Sequence, residues 1–370
     1  MHVLNFLNTH KDWEQLISKP PYNIKVSRDG EYVLLKYNQI DSDFHEELVR
    51  ECRGSIFKQD SNGIWRYVCR PFDKFFNYGE EFASEIDWNS AVVTEKVDGS
   101  LCKCWSDNGI WHLSTNGTID AFKAKVNDMD ITFGEIFERA LGVPIQKLYE
   151  KCVPGVTYMF ELTSPETRVV IPYDDGIYFL AKRSTESGDS SYNFPRFQFE
   201  GLNIKFPEVY NMSSLENTIK AAELLSKDEE GFVVNDIHGN RIKVKSPEYL
   251  KAAHIRFNGQ MTEKRIFSMM KEDMLDDLLA YFPDFKPMVD SVEEKINVFD
   301  DVCNTEWRKV RKMIAMAAKK NPLSAWLFYK LDHPDAMPRQ FLFEVVSKDE
   351  KALGLINSAV KIRGDVDDSS

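Results

Sequence analysis

Lys96 is the residue in this sequence best placed to act as a covalent nucleophile. It stands in Glu95-Lys96-Val97-Asp98-Gly99-Ser100, after the apolar pair Val92-Val93 and before a second strand-like run, so it reads as a lysine at a strand-turn-strand corner. A protonated lysine is a poor nucleophile, and burial or neighbouring cations must lower its pKa before it can attack. Gly99 lacks a Cβ, so its backbone can approach a phosphate closely or take a positive φ. Asp98 can cap the turn or orient the lysine. Asp-Gly is also a common hairpin turn, and taken alone the stretch reads more simply as an exposed turn.

Other chemistry-bearing residues follow in order. Glu161 ends the apolar run Val156-Thr157-Tyr158-Met159-Phe160, where an unpaired carboxylate is costly to bury and must reach solvent, a cation or a ligand hydroxyl. Glu230-Gly231-Phe232-Val233 places an acid and a glycine before a strand; out of context its acids are simply solvated. Arg241, Lys243 and Lys245 alternate with Ile242 and Val244, so period two puts three cations on one strand face. They repel one another unless an anion lies near, or unless the strand is an exposed edge kept soluble by charge. Upstream, Arg53 and Lys74 sit at strand edges or loops, where each faces either a cleft or a rim salt bridge.

Taken together, these segments resemble the covalent nucleotidyltransferases, the polynucleotide ligases and capping enzymes that form a lysyl-AMP or lysyl-GMP. Glu51-Cys52-Arg53-Gly54 and Arg70-Pro71-Phe72-Asp73-Lys74-Phe75-Phe76-Asn77 resemble the amino-terminal signature of the phage T4 RNA ligase 1 family, and the likeness runs from about Glu51 to about Tyr249. The resemblance implies an ATP-dependent RNA ligase that joins RNA 5′-phosphate and 3′-hydroxyl ends through lysyl-AMP and RNA-adenylate, in RNA repair. It makes Lys96 the nucleophile and Glu161 a contact to the nucleoside. Arg53 and Lys74 orient the pyrophosphate, Lys243 and Lys245 cradle the α-phosphate, and Phe76 stacks near the substrate. Glu230 is the expected ligand for Mg2+ or Mn2+. An end-healing kinase or phosphatase is an expected partner. One departure stands out: where the family tends to show a basic residue before a glycine, Ser114-Thr115-Asn116-Gly117 offers Asn116. Two other readings compete. A capping-type or DNA-directed nucleotidyltransferase is disfavoured by the Glu51–Gly54 segment. A noncatalytic RNA- or nucleotide-binding module is disfavoured by the intact Lys96, Glu161, Glu230, Lys243 and Lys245 set.

The elements that must hold these residues are short strands as far as Lys245 and helices beyond about Lys251. The expected class is therefore α+β: an antiparallel-sheet nucleotidyltransferase domain over residues 1–250 with an amino-terminal extension, then an all-α carboxy-terminal domain over residues 251–370, an RNA-specificity module. Met1 to about Ser18 has helical spacing, Tyr32–Tyr37, Gly54–Phe57 and Trp65–Val68 read as strands, and Leu101–Trp105 and Ile110–Ser114 form a hairpin. Ser184 to Ser191 reads as a flexible loop and Ser291-Val292-Glu293-Glu294 as a capping box that starts a helix. Arg308, Lys309, Arg311, Lys312, Lys319 and Lys320 make a cationic patch, better read as a solvated helix face than as an RNA contact, and Asp365–Ser370 an acidic frayed tail.

The formal charge of −12 opposes nonspecific coating of a polyanion, and leaves room for a local cationic site on an acidic body. The six cysteines lack metal-type or disulfide-type spacing, pointing to a reducing compartment. With no signal-peptide pattern and no window as long as a membrane span, the expected location is cytoplasmic, with no membrane partner.

Overall fold

Runs rich in Val, Ile, Phe and Tyr form the strands of three sheets in the computed structural model. It describes residues 1–39, 41–126, 129–191, 196–250, 261–271, 275, 278–279, 285–310, 322–333, 336–346 and 349–367. The first sheet is β1 (Lys25–Asp29), β2 (Tyr32–Lys36), β3 (Arg53–Gln59) and β4 (Trp65–Cys69), in that order. The chain then supplies β5 (Phe76–Asn77), β6 (Val92–Glu95), β7 (Ser100–Asp107), β8 (Ile110–Thr115), β9 (Val156–Thr163), β10 (Gly176–Ser184) and β11 (Ser190–Ser191). It ends with β12 (Val209–Tyr210), β13 (Gly231–Asn235) and β14 (Arg241–Lys245). These build a second sheet, β11-β10-β9-β7-β8, and a third, β12-β6-β13-β14-β5. The β14–β5 pairing is parallel and the other strand pairings are antiparallel.

One helix covers one face of each of the last two sheets. Helix α4 (Phe133–Leu141) follows α1 (His2–Thr9), α2 (Trp13–Ile17) and α3 (Glu47–Glu51) in the chain. It begins at a capping box between Thr132 and Glu135 and packs Ile136, Phe137 and Leu141 against Cys102, Cys104 and Phe160. Each large apolar side chain buried there stabilises the fold by roughly 1.5–3 kcal/mol. Past α5 (Gln146–Tyr149), helix α6 (Leu215–Glu223) covers Val93, Ile242 and Val244 of the third sheet. The uncovered faces carry Leu101 and Met159 on one sheet and Arg241 and Lys243 on the other, and Phe72 and Phe75 pack against both.

Several expectations change. β14 is flanked by β13 and β5, so its cations do not protect an exposed edge. The loop from Ser184 to Ser191 is a tied hairpin: β11 pairs with β10, and Arg183 donates to Gly188 O at 2.8 Å while gripping Asp73 with two hydrogen bonds. The expected amino-terminal helix is two, α1 and α2.

The chain divides into two compact units, Met1–Arg256 and Phe257–Ser370. In the second, helices span Glu263–Lys271, Lys286–Val310, Ser324–Asp332, Pro338–Gln340 and Asp349–Asp367, with a π-helical turn at Phe341–Val345. Phe267, Ile296, Phe299, Trp326, Leu342 and Ile356 are buried. The capping-box sequence at Ser291 lies inside the helix Lys286–Val310, which starts earlier because Pro287, in its first turn, needs no intrahelical donor. Asp365 and Asp367 belong to the last helix rather than to a frayed tail; residues 368–370 lie outside the described residues. Arg311, Lys312, Lys319 and Lys320 of the cationic patch also lie outside them, as do the side chains of Arg308 and Lys309. Among the described residues, no helix is long and apolar enough to cross a membrane.

Candidate active site

Strand register places the central residues. In the third sheet Phe232 pairs with Glu95 and Gly231 pairs with Lys245, while the Lys96 N–H donates to Gly231 O at 2.9 Å. The ends of β6, β13 and β14 therefore lie abreast, with Glu230 in the middle. Glu230 is 3% exposed; one carboxylate oxygen accepts from Lys96 Nζ at 2.7 Å and the other from Lys245 Nζ at 2.8 Å. Burying these charges is tolerable because they are paired, and removing one member of such a set typically costs about 3–5 kcal/mol. The Lys96 side chain keeps 20% of its exposure, so its amine remains reachable.

The turn after Lys96 is fixed from outside itself. Asp98 is buried and accepts from Val170 N and Ile171 N, each at 2.8 Å, and from Tyr249 Oη at 3.1 Å. Burial, then the Glu230 charge, raises its pKa. Gly99 lacks the positive φ that the sequence allows for. It is needed for another reason: a Cβ there would lie 2.5 Å from Leu162 O and 3.0 Å from Glu161 Cγ, so glycine lets the turn press against β9.

Glu161 thereby sits beside the turn. Loss of hydration pushes its carboxyl up to about 7, with Lys96 opposing and Glu230 adding to the rise. A carboxyl with a raised folded pKa binds its proton more tightly folded than unfolded. Its contribution to stability is thus greatest at low pH and falls as pH rises from 4.5 to about 7. Glu161→Gln removes that penalty. It is expected to melt about 2–4 °C above the parent at pH 8, with the gap closing by about pH 5 in thermal unfolding scans. Equal gaps at both pH values would show that Glu161 does not carry this strain.

Phe75 joins the remaining cations. Arg53, Arg241 and Lys243 place their charged groups 5.5, 5.1 and 5.4 Å from its ring centroid. Lys74 is buried, its ammonium 4.1 Å from the Phe44 ring and 5.1 Å from those of Tyr37 and Phe76. Phe76 packs against Phe44 and Phe82 and is buried with Lys74, so its ring belongs to this aromatic cage. A cavity of about 470 Å³ opens beside Lys96 and Glu230, walled by Glu95, Tyr178, Lys205, Phe206, Tyr210 and Phe232. Its size and aromatic walls suit a small-molecule ligand. Tyr178 and Lys205, in cation–π contact at 5.3 Å, are not singled out by the sequence, where Tyr178 is one more aromatic in a strand. Among the described residues no group of three or more His, Cys, Asp or Glu side chains could hold a metal by itself. Glu230 and nearby Glu161 still offer hard oxygen donors of the kind Mg2+ and Mn2+ accept alongside phosphate.

Residues 51–249 match a family model described as RNA ligase. A protein of Autographa californica nuclear polyhedrosis virus, named as a bifunctional polynucleotide kinase/RNA ligase, is 31% identical over 77% of this chain and 42% of its own length. This chain therefore spans less than half of that relative. An RNA ligase of Rhodothermus phage RM378 is 25% identical over 95% of this chain and 93% of its own. Among solved structures, an archaeal ATP-dependent RNA ligase aligns over 79% of this chain and 76% of its own, at 12% identity and a TM-score of 0.47.

Proposed function

This chain belongs to the RNA ligase family, and from that premise we propose that it uses ATP to join RNA 5′-phosphate and 3′-hydroxyl ends in RNA repair. The observation that carries the reading is the Lys96–Glu230–Lys245 bridge across three adjacent strand ends. Lys96 Nζ attacks the α-phosphorus of ATP, the bond to the pyrophosphate oxygen breaks, and an N–H proton leaves to solvent as lysyl-AMP forms. An RNA 5′-phosphate oxygen then attacks that phosphorus and Lys96 departs, giving RNA-adenylate. Attack by a 3′-hydroxyl on the RNA phosphate makes the new ester and releases AMP.

Lys243 and Lys245 counter charge on the α-phosphate, and Arg53 and Lys74 orient the pyrophosphate. Glu161 reaches the ribose, Gly99 admits Glu161 to the turn, and Phe76, held in the cage with Lys74, stacks near the substrate. Glu230 would hold a Mg2+ or Mn2+ ion, which neutralises phosphate charge when bound. Residues 1–250 act as the adenylyltransferase domain; residues 251–370 form an all-α module that selects RNA. The name of the viral relative supports an end-healing kinase or phosphatase as partner. The phage relative supports a cytoplasmic setting, that of a host cell.

Incubation with α-labelled ATP or GTP, a divalent salt and 5′-phosphorylated RNA or DNA tests this. Label transferred from ATP to the protein, and joined RNA, are expected. Preference for GTP would mark a capping-type enzyme, joining of DNA alone a DNA-directed one, and no label at all a binding module.

A further inference from the structure

Lys103 has no part in the mechanism above, yet it is wholly buried. On β7 it pairs with Met159 of β9 and Ser114 of β8, and Leu101, two residues earlier, pairs with Glu161. Paired residues and residues two apart share a sheet face, so Lys103 projects from the same face as Glu161, away from the core under α4. Its ammonium donates to Gly54 O at 2.5 Å, its one acceptor among the described residues. A Cβ built on Gly54 would lie 2.9 Å from Lys103 Nζ and 2.7 Å from Asn116 Oδ1, so only glycine lets these groups meet beside Arg53. Arg53 Nη1 and Asn116 Oδ1 are both buried and have no hydrogen-bond partner among the described residues.

A buried ammonium with one acceptor leaves N–H groups unsatisfied, a costly state that an anion relieves. Burial pulls the Lys103 pKa down to about 8. Arg53 of β3 and Lys36 of β2 act in the same direction, and Cys69 of β4 and Cys102 on its own strand oppose them. Two cationic donors with spare hydrogen-bonding capacity thus share the corner where the hairpin carries neutral Asn116.

We propose that Lys103 is a positioning residue for the phosphate chain of ATP: through the Gly54 carbonyl it sets Arg53, and it supplies the positive charge that Asn116 does not. The inference rests on the ATP-dependent reading. The test is self-labelling by ATP as a function of ATP concentration and pH, for the parent, Lys103→Met, and Lys103→Met with Asn116→Lys. In Lys103→Met, the half-saturating ATP concentration should rise about tenfold, with the maximal rate changed far less. The second substitution should restore it to within about threefold, by returning a cation to the same corner. In the parent, half-saturation should hold steady below about pH 8 and rise above it as Lys103 loses its proton; Lys103→Met should lack that step.

An unchanged ATP dependence in Lys103→Met, or a rise that Asn116→Lys does not reverse, overturns the proposal. If Lys103→Met does not fold, the parent's pH profile decides: a rise above about pH 8 supports the proposal and a flat profile overturns it. A parent that labels with no nucleotide overturns the ligase reading and this inference together, whereas a labelling parent with an indifferent Lys103→Met overturns only the inference.

Discussion

Lys96→Arg should lose covalent labelling by ATP by at least about 10³-fold while still sealing RNA that already carries a 5′-adenylate. Arginine keeps the positive charge beside Glu230, so the pairing that closes the strand ends survives. What disappears is the amine, because a guanidinium stays protonated and cannot attack phosphorus at neutral pH. The last step needs no nucleophile from the protein, which is why it should continue. The measurement pairs two assays on one preparation, self-labelling from α-labelled ATP and joining of chemically pre-adenylated RNA. Labelling that persists in Lys96→Arg would move the nucleophile elsewhere. Loss of both activities with the fold intact would mean that Lys96 serves the sealing step as well.

Glu230→Gln should depress labelling and sealing together, each by about 10²–10³-fold, the scale on which single charge-stabilising groups act. The carboxylate bridges two ammonium groups, and a neutral amide leaves Lys96 and Lys245 facing each other without a counter-charge. The divalent salt needed for half-maximal activity should also rise, since an amide oxygen is a weaker ligand for a hard cation than a carboxylate. Assaying both steps across a Mg2+ and Mn2+ series reads all three effects. Parent-like rates with an unchanged metal requirement would remove Glu230 from the site.

The parts of this site that could be read in the sequence are those set by local periodicity. Lys243 and Lys245 share a face because strands repeat every two residues, and that face lies opposite Ile242, Val244 and α6. The hairpin of β7 and β8 was legible for the same reason, from its alternation and its Asp107-Asn108-Gly109 turn. What stayed hidden depends on contacts between distant stretches. Glu230 lies 134 residues from Lys96, and no local pattern states that β13 sits between β6 and β14. Asp98 reads as a cap for its own turn, but its partners come from residues 170, 171 and 249. Lys103 looks like an ordinary charge on a strand; in the fold it is buried and its ammonium meets Gly54 of β3, 49 residues away. The negative net charge misleads in the same way, since Arg53, the stretch from Lys96 to Lys103 and the strand carrying Lys243 and Lys245 lie far apart in the chain, and their convergence is not a feature of composition.

The most direct test of the account is to locate the nucleotide on the protein. After incubation with ATP and Mg2+ or Mn2+, digestion and fragment mass spectrometry should find AMP on the peptide containing Lys96, joined through Nζ by a bond that survives alkali and breaks in acid. An adduct on Lys103, Lys245 or any other side chain, or none on a folded and metal-supplied protein, would contradict it.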